Sequence, residues 1–531
     1  MWGPYTGANS GRSLSGAGDI NGDGYADVII GARGATPGGV SSVGESYVVL
    51  CASQLSPLGS GLPSALPSSR PSVPTRQPTI SPSAPSVEPS SVPSFRPTAP
   101  LECGTNGVFE LSSINGVNGF TVSGRATSQR LGYSVSSAGD MNGDGIDDIA
   151  IASDWSPREV LVIYGGSGES YPTKSSDLDG NNGFVITNSA SYSDHVVAPA
   201  GDVNGDGFDD ILIGEESADP NSLTDAGIAY VVYGKATMAS SLSLTGLDGT
   251  NGFSIEGFNP YSKVGFSVAV AGDVNKDGCS DLIIGAGASD LNGYYNSAAS
   301  FVIYGGHNLS HPFVLNLING TNGFQIEEVD DSACCGHSSS VSPAGDVNGD
   351  GFDDIIIGSR SADPNGLTNA GESYVIYGGK NLPHPFYLAH LNGTNGFAVE
   401  GVAEYDQSGY AVSNAGDVNG DGYADVIIGA PDSDLNGEQS GCSYIIYGGV
   451  NITHPFELSS LNGQNGIRWT VLICMTKVGH QCPTREILMG MAWGISSLEP
   501  LRRIQMGCPV LGKAILCMAA ALLLTHYCFQ V

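Results

Sequence analysis

A nine-residue pattern, Asp-x-Asn-x-Asp-Gly-x-x-Asp, occurs six times in this chain and limits its fold more than any other feature. It stands at 19–27 (DINGDGYAD), 140–148 (DMNGDGIDD), 202–210 (DVNGDGFDD), 273–281 (DVNKDGCSD), 346–354 (DVNGDGFDD) and 417–425 (DVNGDGYAD). These stretches carry 21 of the 53 acidic residues in a chain of net charge −33, so the charge is concentrated in short loops. Like charges at such spacing repel unless something neutralises them, and hard oxygen donors in a tight loop point to bound cations. Nucleic acid is excluded as a partner, because a phosphate backbone is held by Lys/Arg patches and this chain has only 20 basic residues with no such patch.

The loops begin 121, 62, 71, 73 and 71 residues apart. The long first interval holds a segment, 52–100, rich in Pro, Ser and Thr; it cannot bury a core and reads as a disordered, extended linker of the kind that carries O-linked sugars. Without those 49 residues the interval becomes 72, and the repeat is regular. In the sixth unit "GYAVSNAGD" (409–417), "DVIIGAP" (425–431) and "GCSYIIYGG" (441–449) read as short strands, rich in Val, Ile and Tyr and bounded by Gly or Asx turns. A fourth strand follows an Asn-Gly turn, as in "NGFAVEG" (395–401) and "NGFSIEG" (251–257). No segment shows a sustained helical period with caps. Four short strands in about 70 residues define an all-β protein of propeller blades; a solenoid is the alternative, but a β-helix coil is far shorter than this unit.

In each loop positions 1, 3 and 5 supply side-chain oxygens, position 7 a backbone carbonyl, and position 9 a carboxylate that closes the shell, with Gly at 6 for the sharp turn. The candidate metal ligands are therefore Asp19, Asn21, Asp23, Tyr25 and Asp27 in the first loop, and Asp140, Asn142, Asp144, Ile146 and Asp148 in the second. The third offers Asp202, Asn204, Asp206, Phe208 and Asp210; the fourth Asp273, Asn275, Asp277, Cys279 and Asp281. The fifth offers Asp346, Asn348, Asp350, Phe352 and Asp354, and the sixth Asp417, Asn419, Asp421, Tyr423 and Asp425. An all-oxygen set in a flexible loop favours Ca²⁺, and Asn at position 3 suggests modest affinity, on the order of 10⁻⁴–10⁻³ M. The plainer reading is an Asx-rich hairpin turn without an ion. Each ninth Asp leads directly into an aliphatic run, so the loop joins two strands of one blade and an ion there would be structural.

Eleven cysteines follow no CxxC spacing, which speaks against zinc. Sequons at Asn308, Asn319, Asn392 and Asn451 fit a secreted glycoprotein. Met1 lies within 20 residues of the first acidic loop and no signal peptide opens the chain, so the natural N-terminus is expected to lie upstream. Cys51 and Cys103 bracket the linker and could form a disulfide at its base.

"VGFSVAVAGDVNKDGCSDLIIGAG" (264–287) and "SGYAVSNAGDVNGDGYADVIIGAP" (408–431) resemble the FG-GAP repeats of integrin α-subunit N-terminal propellers, and the likeness covers most of 11–50 and 104–466. The resemblance implies a closed ring of seven blades, Ca²⁺ in the loops between first and second strands, and partners on the opposite face. This sequence departs from it where Leu131, Val264 and Ser408 replace the Phe of the Phe-Gly pair, and where Lys276 replaces a loop Gly. No thigh-like sandwich, integrin membrane span or cytoplasmic tail follows. Similar repeats also accompany the catalytic domain of a glycosylphosphatidylinositol-cleaving phospholipase D.

The domains so read are a first blade at 1–51, the linker at 52–100, propeller blades at 101–466 and an aberrant tail at 467–531. The tail loses the repeat. Read from the third base of each codon, however, "TREILMGMA" (484–492) permits Ala-Gly-Asp-Ile-Asn-Gly-Asp-Gly, with its last two glycines forced. Residues from about 467 onward are therefore expected to be a seventh blade translated out of frame. On that reading "AILCMAAALLL" (514–524) is no membrane anchor, and at 11 residues it is also too short to span.

No GxSxG elbow, HExxH, Walker loop or Cys/His pair at a useful spacing is present, so no catalytic residue is assigned. The recurring His-Pro-Phe (311–313, 384–386, 454–456) reads as a turn before a strand. The sequence thus favours a non-enzymatic, extracellular Ca²⁺-binding propeller for adhesion or recognition of a cell-surface protein or glycan. The alternatives are a non-catalytic, phospholipase-D-like propeller module of a secreted hydrolase whose catalytic domain is expected to lie outside this chain, and a structural protein of the matrix. Trp155 in "SDWSPRE" and Tyr294-Tyr295 in "LNGYYNS" are candidate contacts, with packing between blades as the alternative.

Overall fold

The computed structural model describes residues 10–11, 13–51, 111–166, 171–187, 195–289, 297–307, 309–327, 340–435, 440–473, 485–491 and 503–506. It is an all-β, six-bladed β-propeller. Each blade is four consecutive antiparallel strands, with the second strand hydrogen-bonded between the first and the third. Blade 1 consists of Ser13–Gly18, Asp27–Ala32, Glu45–Val49 and Gly119–Ser123. Blade 2 has Leu131–Gly139, Asp148–Ser153, Glu159–Ile163 and Gly183–Thr187; blade 3 has Val196–Gly201, Asp210–Glu215, Ile228–Val232 and Gly252–Glu256. Blade 4 has Val264–Gly272, Asp281–Ser289, Ser297–Ile303 and Gly323–Glu327; blade 5 has Ser340–Gly345, Asp354–Ser359, Glu372–Ile376 and Gly396–Glu400. Blade 6 has Ala411–Gly416, Asp425–Ala430, Cys442–Ile446 and Gly466–Ile473.

Blade 1 alters the expected domain boundaries. Its third strand ends at Val49 and its fourth begins at Gly119, so the Pro/Ser/Thr-rich segment is inserted within a blade rather than between two. The tail also adds backbone not expected from the repeat: Arg485–Met491 and Arg503–Met506 continue the sheet of blade 6 as antiparallel strands.

Both faces of blades 2 to 5 are apolar because both meet a neighbouring blade. Second strands such as Asp354–Ser359 are buried along their whole length. The hydrophobic clusters run from blade to blade: Ile356, Val375 and Phe397 of blade 5 pack with Val426, Ile428 and Tyr444 of blade 6. First strands of consecutive blades pack on one another from blade 1 to blade 6. Leu131, Val264 and Ser408, at the Phe position of the repeat, are all buried, so a smaller side chain is accommodated there. The Gly beside them permits close approach of backbones. A Cβ on Gly358 of blade 5 would lie 2.1 Å from the carbonyl oxygen of Gly409 in blade 6.

The His-Pro-Phe triplets fasten the outer edge. Phe313–Val314, Phe386–Tyr387 and Phe456–Glu457 each add a short parallel strand to the fourth strand of the preceding blade. Before each stands a cis His-Pro bond. The Nδ1 atoms of His311, His384 and His454 accept hydrogen bonds from the backbone N–H of Ser254, Gln325 and Ala398 at 3.3, 3.2 and 3.2 Å. These histidines are structural.

Candidate cation loops and the opposite face

Every acidic loop connects the first and second strands of a blade, as its sequence implies. Its curl is written in side-chain-to-backbone hydrogen bonds. In the fifth loop Asp346 Oδ1 accepts from Asp350 N–H at 3.0 Å and its Oδ2 from Gly351 N–H at 2.8 Å. Asn348 Oδ1 also accepts from Asp350 N–H, at 2.8 Å, and Asp350 Oδ1 accepts from Phe352 N–H at 3.0 Å. The same set is made by Asp19, Asn21 and Asp23, by Asp140, Asn142 and Asp144, by Asp202, Asn204 and Asp206, and by Asp417, Asn419 and Asp421. Asp273 and Asp277 repeat most of it in the fourth loop. Gly at position 6 has φ between 85° and 95° in all six loops, a left-handed conformation that side chains disfavour.

The ninth position behaves differently from the others. Asp27, Asp148, Asp210, Asp281, Asp354 and Asp425 are buried, at 0–1% exposure. Each uses one oxygen to accept from the N–H of loop position 2 and the other to accept from a residue just past the third strand. Asp354 takes Val347 N–H and Gly378 N–H, both at 2.8 Å; Asp210 takes Val203 N–H at 3.1 Å and Gly234 N–H at 2.9 Å. The ninth Asp is thus a clasp between the loop and the sheet beneath it. Burial pushes its carboxyl up to about 8 in Asp27, Asp148, Asp210, Asp281 and Asp354; the two N–H bonds oppose that shift and the acids at loop positions 1 and 5 reinforce it. Burial raises Asp425 less, to about 6.

The sequence motif did not reveal the acid at position 8. Asp147, Asp209 and Asp353 accept from the backbone N–H of Asp19, Asp140 and Asp273 in the preceding blade at 2.7, 2.8 and 2.8 Å. Ser280 and Ala424 stand at the corresponding positions of blades 4 and 6. The doubled Asp-Asp at the end of the second, third and fifth acidic runs was the available signal. Lys276 departs from the loop Gly without disturbing the fold: it keeps a φ of 59° and places its Nζ 5.4 Å from the ring centre of Phe352 in the next blade.

The donor set suits a divalent hard cation. A carboxylate oxygen committed to a single N–H, such as Asp346 Oδ2 or Asp350 Oδ1, retains a further lone pair. Among the described residues, however, no three acidic, His or Cys side chains are already gathered at ligating distance. Positions 1, 3 and 5 share one curled loop, while position 9 lies beneath it with both oxygens bonded to backbone.

On the other face the loops between second and third strands present charge and aromatic surface. Asp154, buried, receives Arg33 and Arg130 at 3.3 Å each, joining blades 1 and 2. Trp155 is 51% exposed, with the Arg130 guanidinium 5.4 Å from its ring centre, so it faces solvent rather than packing between blades. Tyr294-Tyr295 and Cys103 lie outside the described residues. No helix among the described residues is long and apolar enough to cross a membrane.

Four-stranded blades, each with an acidic loop between its first two strands that a buried Asp clasps, place this chain among repeat-built β-propellers. Residues 10–49, 131–171, 196–232, 264–302, 338–376 and 408–446 match the family described as FG-GAP repeat, and the chain is an FG-GAP repeat protein resembling integrin α. Integrin alpha pat-2 of Caenorhabditis elegans is 30% identical over 231 residues, 43% of this chain and 17% of that protein. Phosphatidylinositol-glycan-specific phospholipase D of Homo sapiens is 27% identical over 216 residues, 40% of this chain and 23% of that protein. The corresponding protein of Dictyostelium discoideum is 30% identical over 207 residues, 38% of this chain and 21% of it. The chain therefore spans less than a quarter of the length of each of these relatives.

Proposed function

We propose that this chain is a non-enzymatic, extracellular propeller that binds Ca²⁺ in its acidic loops and recognises a cell-surface protein or glycan through its opposite face. The observation that carries the reading is the loop itself. Six times a buried carboxylate lies beneath a curled loop bearing two further carboxylates, an arrangement whose mutual repulsion a divalent cation relieves. Positions 1, 3, 5 and 9 and the carbonyl at 7 would hold the ion, which would fix the loop to the sheet. The exposed sequon residues Asn319, Asn392 and Asn451 fit a glycosylated surface. Exposed Trp155 over Arg130 is the candidate anchor for the partner.

Calorimetric titration of the EGTA-treated chain with CaCl₂ tests the cation half: binding and a rise in melting temperature are expected, and no heat with an unchanged melt refutes it. Binding to arrays of extracellular proteins and glycans, with Trp155→Ala as control, tests the recognition half. A second reading is favoured by the matches to phosphatidylinositol-glycan-specific phospholipase D. There the chain would be the propeller module of a secreted hydrolase. Release of a glycosylphosphatidylinositol-anchored reporter by the purified chain would decide for an enzyme.

A further inference from the structure

Five blades pass their acidic loop to a neighbour, and the sixth does not. A Cβ on the Gly before the loop would strike the next blade at Gly18, Gly139, Gly201, Gly272 and Gly345, within 2.2–2.8 Å of Asp147, Asp209, Ser280, Asp353 or Ala424. At Gly416 of blade 6 it would meet nothing within 4 Å among the described residues. The loop glycines Gly143 and Gly349 likewise lie against Phe208 and Tyr423 of the following blade, whereas a Cβ on Gly420 would meet nothing within 4 Å among the described residues. Ile356 of blade 5 is 0% exposed, while its counterpart Ile427 is half-buried. Among the described elements the first strand of blade 6 makes no packed pair with that of blade 1. Blade 6 ends in an edge shaped for another copy of the repeat.

The occupant is written in this chain's own tail, one reading frame over. Codons taken from the third base of Met489 and Met491 are GGG and GGC, so glycine is forced at loop positions 4 and 6. In the other loops position 6 holds a φ of 85–95°. Between those glycines and before them the shifted codons permit Asp-Ile-Asn and Asp, and over Gly494-Ile495 they permit the ninth Asp. The structure supplies an independent check on register. Gly378, whose N–H clasps Asp354, lies 24 residues beyond it, and Ser373 of the third strand lies 19 beyond. In the shifted frame the codon over Met518-Ala519 is GGC, a forced glycine 24 positions beyond that ninth Asp, and the codon over Lys513-Ala514 permits Ser 19 beyond it. The codon over Met475-Thr476 is GAC, a forced Asp 11 positions before the loop, where buried Asp406 stands before Asp417.

We infer that the region of residues 471–519 encodes, in the shifted frame, a seventh blade that seats on the open edge of blade 6. One nucleotide added, or two removed, between the codons of Gly466 and Cys474 restores it. The inference does not depend on the cation reading. It is tested by sequencing gene and transcript across those codons and by expressing the full chain as written and with the frame restored. The restored chain is expected to melt higher, to remain monomeric and to lose stability on Ile427→Asp, a change that barely affects the chain as written. Equal melting temperatures for the two forms would overturn it. So would protection of residues 471–531 from limited proteolysis in the chain as written, or a dimer of that chain that Ile427→Asp dissociates, since a second copy would then occupy the edge.

Discussion

Asp354→Ala separates the clasp from the cation shell. In the structure both oxygens of this buried carboxylate are acceptors, for Val347 N–H in the loop and Gly378 N–H past the third strand, each at 2.8 Å. Alanine leaves two buried donors without a partner. A buried donor left unsatisfied costs about 1–3 kcal/mol, so the pair amounts to roughly 2–6 kcal/mol even with no ion present. Asp350→Ala is the comparison. Asp350 is exposed and its oxygens serve only the loop, so in EGTA it should cost far less while still weakening Ca²⁺ binding. Urea denaturation of both variants in EGTA and in Ca²⁺, with hydrogen exchange to localise the loss to blade 5, measures the difference. If Asp354→Ala costs under about 1 kcal/mol in EGTA, the two N–H bonds do not clasp the blade and the reasoning fails.

The pH dependence carries a definite sign. Burial holds the ninth carboxyls near 8 in the cation-free fold against an ordinary value of 3.8, so the folded state retains protons that the unfolded chain has released. Stability in EGTA should therefore fall as pH rises from about 4 to about 8, and Ca²⁺ should flatten the curve; a flat or rising curve in EGTA contradicts it. Gly358→Ala places a methyl carbon against the Gly409 carbonyl and should cost about 1–3 kcal/mol by thermal melts, with Gly246→Ala, where the nearest atom to a Cβ is 4.0 Å away and φ is not left-handed, as a less disturbed reference. His384→Ala removes the acceptor of Gln325 N–H at the outer seam and should cost about 0.5–1.5 kcal/mol, read as faster exchange of that amide. Trp155→Ala should leave the melting temperature nearly unchanged while abolishing partner binding, because its ring is half exposed and belongs to no core cluster.

Much of this protein is decided by short-range pattern. An aliphatic run such as "DIII" after an acidic loop specifies a strand buried on both faces, and Asn-Gly before Phe397 specifies where the fourth strand begins; recurrence about every 70 residues specifies blades. The curl of the acidic loop was legible for the same reason, since its bonds join residues at most five apart. What joins residues far apart along the chain was not legible. The clasp of Asp354 onto Gly378, the grip of Asp353 on Asp273 N–H and the seat of His384 beneath Gln325 join positions 24, 80 and 59 residues apart. So does the return of the chain to blade 1 at Gly119, after an insertion that composition alone placed between blades. Local spacing fixes which side chains can meet within a loop, but only the stacking of twisted sheets around a common axis determines which distant N–H each carboxylate receives.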